Sequence, residues 1–272
     1  TWVGGSIPGA SDAVVIAHDV SCASTQSAAT LTVNASKTLT VSVIGKLTVA
    51  GAVSNSGTIL VVSEQFGSGS LIATSASTFT LSYDLYIPAT QWKLVGIPVS
   101  GVTIGDVDEN LATNTVGGVS KVGIGYYDSE SATWSVYAAS STGTLLAQTK
   151  GYEMIHSSGD VVRFSGSLRT GSRSTIATYT NEWTLLGNPY PSYLRLTDDA
   201  SGASGSNYFL NTTHLSYLKN THQALYGWDG SAYDTYSNDA GALDLLMPGD
   251  AFFVYGASEE TFSFTESMQV HN

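Results

Sequence analysis

Leu31-Thr32-Val33, Leu39-Thr40-Val41 and Leu47-Thr48-Val49 begin eight residues apart, separated by Asn34-Ala35-Ser36-Lys37 and by a connector containing Ile44-Gly45-Lys46. An apolar–polar–apolar triplet has the two-residue period of a strand with one buried face, not the 3.6-residue period of a helix. Similar short runs flank this core: Ala13-Val14-Val15-Ile16 before it, then Ile59-Leu60-Val61, Leu71-Ile72-Ala73 and Phe79-Thr80-Leu81. Strands this short, turned at Gly and Asn corners, predict a parallel β-solenoid whose stacked rungs bury one column of Leu and Val. A plain antiparallel meander is the alternative. The solenoid is expected over residues 1–82.

Beyond about residue 90 the runs lengthen and aromatics become frequent. Trp92-Lys93-Leu94-Val95-Gly96-Ile97-Pro98 matches Trp183-Thr184-Leu185-Leu186-Gly187-Asn188-Pro189 at an offset of 91. Tyr127-Asp128 then matches Trp228-Asp229, and Trp134-Ser135-Val136-Tyr137 matches Tyr233-Asp234-Thr235-Tyr236. Lys150-Gly151-Tyr152 aligns with Pro248-Gly249-Asp250, and an alternating strand closes each unit. Each unit holds an aromatic hairpin around Asp-Ser or Asp-Gly, a favoured tight-turn pair. The expected fold is therefore all-β: a short N-terminal parallel β-solenoid, then a composite β-sandwich over residues 83–272. That sandwich is built from two internal repeats, at about 92–168 and 183–268.

Composition narrows the function classes. The 272 residues carry 10 Lys+Arg against 22 Asp+Glu, a net charge of −12. Nucleic acid and anionic lipid both demand clustered cations, so neither is an expected partner. Only 12% of residues are charged, about a quarter are Ser or Thr, and 42% are apolar, enough to bury a core. Cys22 is the only cysteine, so no intrachain disulfide forms. No run of eighteen apolar residues occurs, and insertion into a membrane is not expected. The Ser/Thr/Gly-rich, lysine-poor composition favours an exported bacterial protein.

Trp2-Val3-Gly4-Gly5-Ser6-Ile7-Pro8, followed by Asp12-Ala13-Val14-Val15-Ile16, resembles the opening of solenoid modules in secreted surface proteins of the Bacteroidota. Gly187-Asn188-Pro189-Tyr190-Pro191-Ser192, Trp228-Asp229-Gly230 and Pro248-Gly249-Asp250-Ala251-Phe252-Phe253-Val254 resemble further segments of the same proteins. The resemblance implies a large adhesin or hydrolase exported by the type IX secretion route. It also implies a longer polypeptide with a C-terminal sorting domain.

No nucleophile elbow, zinc-protease helix, Cys-x-x-Cys pair or phosphate loop occurs. His214 and His222 lie close in sequence but are expected to be separate loop histidines. Asp106, Asp108 and Glu109 share one loop and offer hard oxygens to calcium, the one cofactor considered. The same three, with Asp198, Asp199, Asp239 and Asp244, are the carboxylates a glycosidase would draw on. The hairpin aromatics carry the ligand expectation, because flat rings on a β surface stack on sugars. Tyr127, Trp134, Trp228 and Tyr233 are the candidate binding residues, with cross-strand packing as the alternative role. The expected function is a non-catalytic secreted surface module for adhesion or glycan binding. A polysaccharide-degrading domain and a structural spacer stay open.

Overall fold

The computed structural model describes residues 7–74, 78–197, 207–238 and 244–272, with the backbone alone at Arg169. The first rung of a solenoid is β1 (Ala13–Ile16), β2 (Val20–Cys22) and β3 (Thr25–Ala28). The second is β4 (Thr30–Val33), β5 (Thr38–Val41) and β6 (Lys46–Val49). The third is β7 (Val53–Asn55), β8 (Thr58–Glu64) and, after the short β9 (Gly67–Ser68), β10 (Ser70–Ala73). Equivalent strands pair in parallel and form three faces: β1-β4-β7, β2-β5-β8 and β3-β6-β10. The Leu-Thr-Val triplets are thus one triplet per face, with Leu and Val inside and Thr at the surface. Each buried Leu or Val contributes roughly 1.5–3 kcal/mol of transfer free energy.

The glycine corners have a steric cause. A Cβ on Gly45 would stand 2.2 Å from the Cys22 carbonyl oxygen, and one on Gly57 would stand 2.3 Å from that of Lys37. Adjacent rungs approach so closely there that no side chain fits.

β11 (Thr78–Ile87) continues the β2-β5-β8 face, so the expected division at 82/83 falls inside a strand. One edge of β11 pairs in parallel with β8, and the other pairs antiparallel over ten residues with the strand at Asp160–Arg169. A single side-chain ladder, Cys22, Val41, Val61, Tyr83 and Phe164, runs from the first rung into the repeats. Cys22 is a buried thiol raised in pKa by burial, a packing residue in that ladder.

The first repeat adds β12 (Lys93–Val95), β13 (Thr113–Val116), β14 (Val119–Asp128), β15 (Thr133–Ala138), β16 (Tyr152–Met154) and β17 (Asp160–Arg169). The second holds β18 (Arg173–Ala177), β19 (Trp183–Gly187), β20 (Tyr193–Arg195), α1 (Thr212–Tyr217), β21 (Leu225–Trp228), β22 (Tyr233–Tyr236), β23 (Leu245–Leu246), β24 (Ala251–Tyr255), β25 (Thr261–Phe264) and β26 (Gln269–Val270). Their central sheets have the same strand order: β12-β16-β14 with β15 on β14, and β19-β24-β21-β22. β11 pairs with β17 as β18 pairs with β25, so each repeat begins one strand earlier than its Trp-x-Leu motif.

The register corrects one sequence match. Val95 faces Tyr152 and Leu186 faces Phe252, so Tyr152 is equivalent to Phe252 rather than to Asp250. With that correction the repeats meet about a pseudo-two-fold axis. Val95 bridges to Asp250, and the equivalent Leu186 bridges to Lys150. The Gly96 amide donates to the Gly249 carbonyl at 3.0 Å, and that of Gly187 to Thr149 at 3.1 Å. A Cβ on Gly187 would sit 2.7 Å from the Gly96 Cα, so the two glycines touch at the axis.

Three cores result. The solenoid and first repeat share one, from Val14 to Leu168. The second repeat has its own, around Phe209, Phe252, Phe262 and Phe264. A third lies between the central sheets, where Leu94 meets Leu185, Ala251 and Phe253. The two sheets thus face each other across the axis, and each also has a packed outer side. The Asn188-Pro189-Tyr190-Pro191 corner is architectural. Buried Asn188 donates to the carbonyls of Ser192 and Met247 and accepts from the Tyr190 amide, while the Tyr190 hydroxyl donates to Phe264.

Candidate functional site

The eight hairpin aromatics divide by strand alternation. On β14 and β15, Tyr126 and Tyr137 point to the first core, their rings 5.1 Å apart. Their neighbours Tyr127 and Trp134, directly opposite each other, point across the axis. On β21 and β22, Tyr236 turns to the second core, while Tyr226, Trp228 and Tyr233 face the first repeat's sheet. Strand alternation therefore divides the rings of each hairpin between a packed core and the space between the central sheets.

Phe253 on β24 is the centre of the outward-facing group. Its ring lies 5.1 Å from Tyr127, 5.9 Å from Trp134, 6.1 Å from Tyr233 and 6.3 Å from Trp183, each edge-to-face. Trp183 also meets Tyr226 at 5.0 Å and His222 at 5.6 Å. These seven side chains line a cleft of about 390 Å³, within the usual range of small-ligand sites, roughly 300–1,000 Å³. Trp134, 37% exposed, and Tyr233, 52% exposed, form its rim. Edge-to-face packing holds the rings without closing the cleft.

Three of the four expected binding residues, Tyr127, Trp134 and Tyr233, line this cleft. Trp228 does not. It lies opposite Tyr233 on the hairpin, its ring tilted against that of Tyr233 at 5.0 Å, and packs on the core between the sheets. Trp183, His222 and Phe253 were not singled out as ligand residues from the sequence. The Trp183 motif marks the repeat, and the Ala-Phe-Phe-Val run reads as buried strand.

The hairpin aspartates are turn residues. The Asp229 carboxylate accepts from the Ser231 and Ala232 amides, and that of Asp128 from Glu130. Burial raises the phenols of Tyr127, Tyr226 and Tyr233. The charge of Glu182 adds to the shift at Tyr127, and that of Glu153 at Tyr233.

Asp106, Asp108 and Glu109, the residues of the calcium expectation, fall in two successive turns. Asp106 accepts from the Thr103 amide and hydroxyl, both at 2.7 Å, bonds that hold its carboxyl below the usual range. It thereby closes the turn Ile104–Asp106, while Asp108 and Glu109 belong to the next turn, Asp108–Asn110. No group of three His, Cys, Asp or Glu side chains placed to hold a metal occurs among the described residues. Of the other carboxylates, that of Asp244 accepts from the Thr197 hydroxyl at 3.4 Å, and Asp198, Asp199 and Asp239 lie outside the described residues. His214 is separate from His222, as expected, but is not a loop histidine: it lies on α1 in the second core, its Nδ1 on the Phe209 carbonyl and its Nε2 accepting from the Ser263 amide. No described helix is long and apolar enough to cross a membrane. Comparison with family profiles, with curated proteins and with solved structures found no match to this chain.

Proposed function

We propose that this chain is a non-catalytic, secreted surface module that binds a saccharide in the cleft between its repeats. The observation that carries this reading is the cleft itself: six aromatic rings and one imidazole, with Trp134 and Tyr233 at the rim. Ring faces stack on the C–H faces of sugars, and the tyrosine hydroxyls and His222 supply bonds to sugar hydroxyls. The Ser/Thr-rich composition, with one unpaired cysteine, supports an exterior location on a bacterial cell. In this reading the solenoid is a stiff pedestal that presents the cleft, and the resemblance to type IX cargo supplies the route of export.

The test is glycan-array binding of the full chain against Trp134→Ala/Tyr233→Ala. Binding by the parent that the double variant loses is the expected result. Binding unchanged in the variant overturns the site, and reducing-sugar release from a bound polysaccharide overturns the non-catalytic reading.

A further inference from the structure

The rings of the cleft make corners rather than a plane. Phe253 stands at 87° to Tyr127, 85° to Trp134, 84° to Trp183 and 71° to Tyr233. Tyr127 meets Trp134 at 72°, and Trp183 meets Tyr226 at 89°. A pyranose stacks on a flat platform, either one ring face or several coplanar ones. Rings set nearly at right angles instead enclose a compact group and touch it from several sides at once. Trp134 and Tyr233, at the rim, are the exposed rings, whereas Phe253 at the centre is buried.

Its polar atoms are unengaged. Among the described residues the lining holds three phenol hydroxyls, two indole N–H groups and one imidazole, with no Lys, Arg, Asp or Glu. None of those hydroxyls and neither indole has a hydrogen-bond partner among the described residues. His222 pairs its Nδ1 with the Thr221 hydroxyl at 2.9 Å, and its Nε2 has no partner there. Tyr83, Tyr152, Tyr190 and Tyr193, all buried in packed regions, differ: each bonds its hydroxyl to backbone. A ligand that covers the cleft must supply partners for its donors and acceptors, since a covered and unpaired polar group is costly.

We infer that the saccharide taken by this cleft is an N-acetylated hexosamine, its acetamido group seated among the inner rings with the methyl toward Phe253. This rests on the cleft being a saccharide site. The methyl is the compact apolar end that perpendicular rings enclose. The amide N–H and C=O supply one donor and one acceptor to the phenols, indoles and imidazole around it. The pyranose itself lies further out, against Trp134 and Tyr233. A hydroxyl or a free amine at the same carbon lacks the methyl and leaves the enclosure unfilled. Because the acetamido group and the ring lining are both uncharged, the preference is insensitive to salt.

The experiment begins with the full chain on a glycan array, where the retained glycans are expected to share an N-acetylated hexosamine. Retention of glycans without one overturns the inference and leaves the saccharide reading standing, and retention of none overturns both. Calorimetric titration then compares β-1,4-linked tetrasaccharides of N-acetylglucosamine, glucosamine and glucose. The N-acetylated oligomer is expected to bind about tenfold tighter than the other two, by a ratio that salt leaves unchanged. Equal affinities, or tighter binding of the glucosamine oligomer, overturn the inference alone. In saturation-transfer NMR the acetyl methyl protons are expected to receive more saturation than the ring protons, and the reverse order removes the methyl from the enclosure. Trp183→Leu, which opens one wall, is expected to bring the ratio of N-acetylglucosamine to glucose affinity close to one, whereas Trp134→Ala weakens both sugars alike. An unchanged ratio in Trp183→Leu, with its circular dichroism intact, overturns the seat assigned to the acetyl group.

Discussion

Gly125 and Glu153 in the first repeat stand where Tyr226 and Phe253 stand in the second. The backbone around them is the same: three antiparallel strands in the same order, crossed by an aromatic hairpin from the partner repeat. One half therefore offers an aromatic floor and the other an acid whose carboxylate rests against a glycine. Duplication explains the scaffold, and a handful of substitutions on one face explains the site. Symmetry sets where the hairpins cross, and asymmetry sets what lies beneath them.

The axis is where the repeats must stay alike, and the largest effect is expected there. Gly96→Ala and Gly187→Ala should each cost about 3 kcal/mol or more, since both new Cβ atoms collide with backbone of the other repeat. Gly143→Ala, which opens into free space, is the control and should change little. Urea midpoints measure all three, and a tolerated change at either axis glycine would show that the contact is loose. Next come the rings, where the repeats differ in exposure. Trp134→Ala should weaken saccharide binding about tenfold or more, while Trp228→Ala, removing a ring that packs on Tyr233 outside the cleft, should cost a few-fold. Equal losses in a binding titration would remove the distinction.

Glu153 offers a subtler probe. Its folded carboxyl holds a proton more tightly than the ordinary value of 4.5 allows, so the fold loses stability as pH climbs from about 4.5 to about 7. Partial exposure limits that loss to about 1–2 kcal/mol. Glu153→Phe copies the other repeat and should flatten this part of the stability–pH curve. An unchanged difference between pH 4.5 and pH 8 would assign the slope to another group. The smallest effect is expected at Lys93, whose ion pair with Asp250 joins the repeats and whose equivalent in the second repeat is Thr184. Lys93→Met should cost about 1 kcal/mol or less, and less again in high salt.

The solenoid was legible because its signal is local. A triplet with a buried Leu and Val, repeated after short polar or glycine corners, specifies both the strand and its stacking face. The repeats were legible as a motif but not to their ends. β11 and β18 carry no Trp-x-Leu signature, and Gly151 and Gly249 invited an alignment two residues out of register. The cleft was only partly legible. Its rim belongs to the hairpins, where aromatics beside Asp turns stand out. Phe253, in a wholly apolar run, looks like core from the sequence and is indeed 5% exposed, yet one side of its ring forms the cleft floor. Glu153 gives no local signal at all, because its significance depends on what the other repeat has at the same place.

β11 is parallel to one neighbour and antiparallel to the other. A solenoid that simply stopped after its third rung would leave an unpaired row of amides and carbonyls, a template for joining a second copy edge to edge. Here β17 covers that row, and Arg163 on it clamps the buried Asp84 through two bonds of 2.6 and 2.7 Å. The first repeat is thus also a stopper. Cutting the chain after β11 would free a sticky end and strand a carboxylate in the interior, and the excised solenoid is expected to polymerise rather than persist as a soluble fragment.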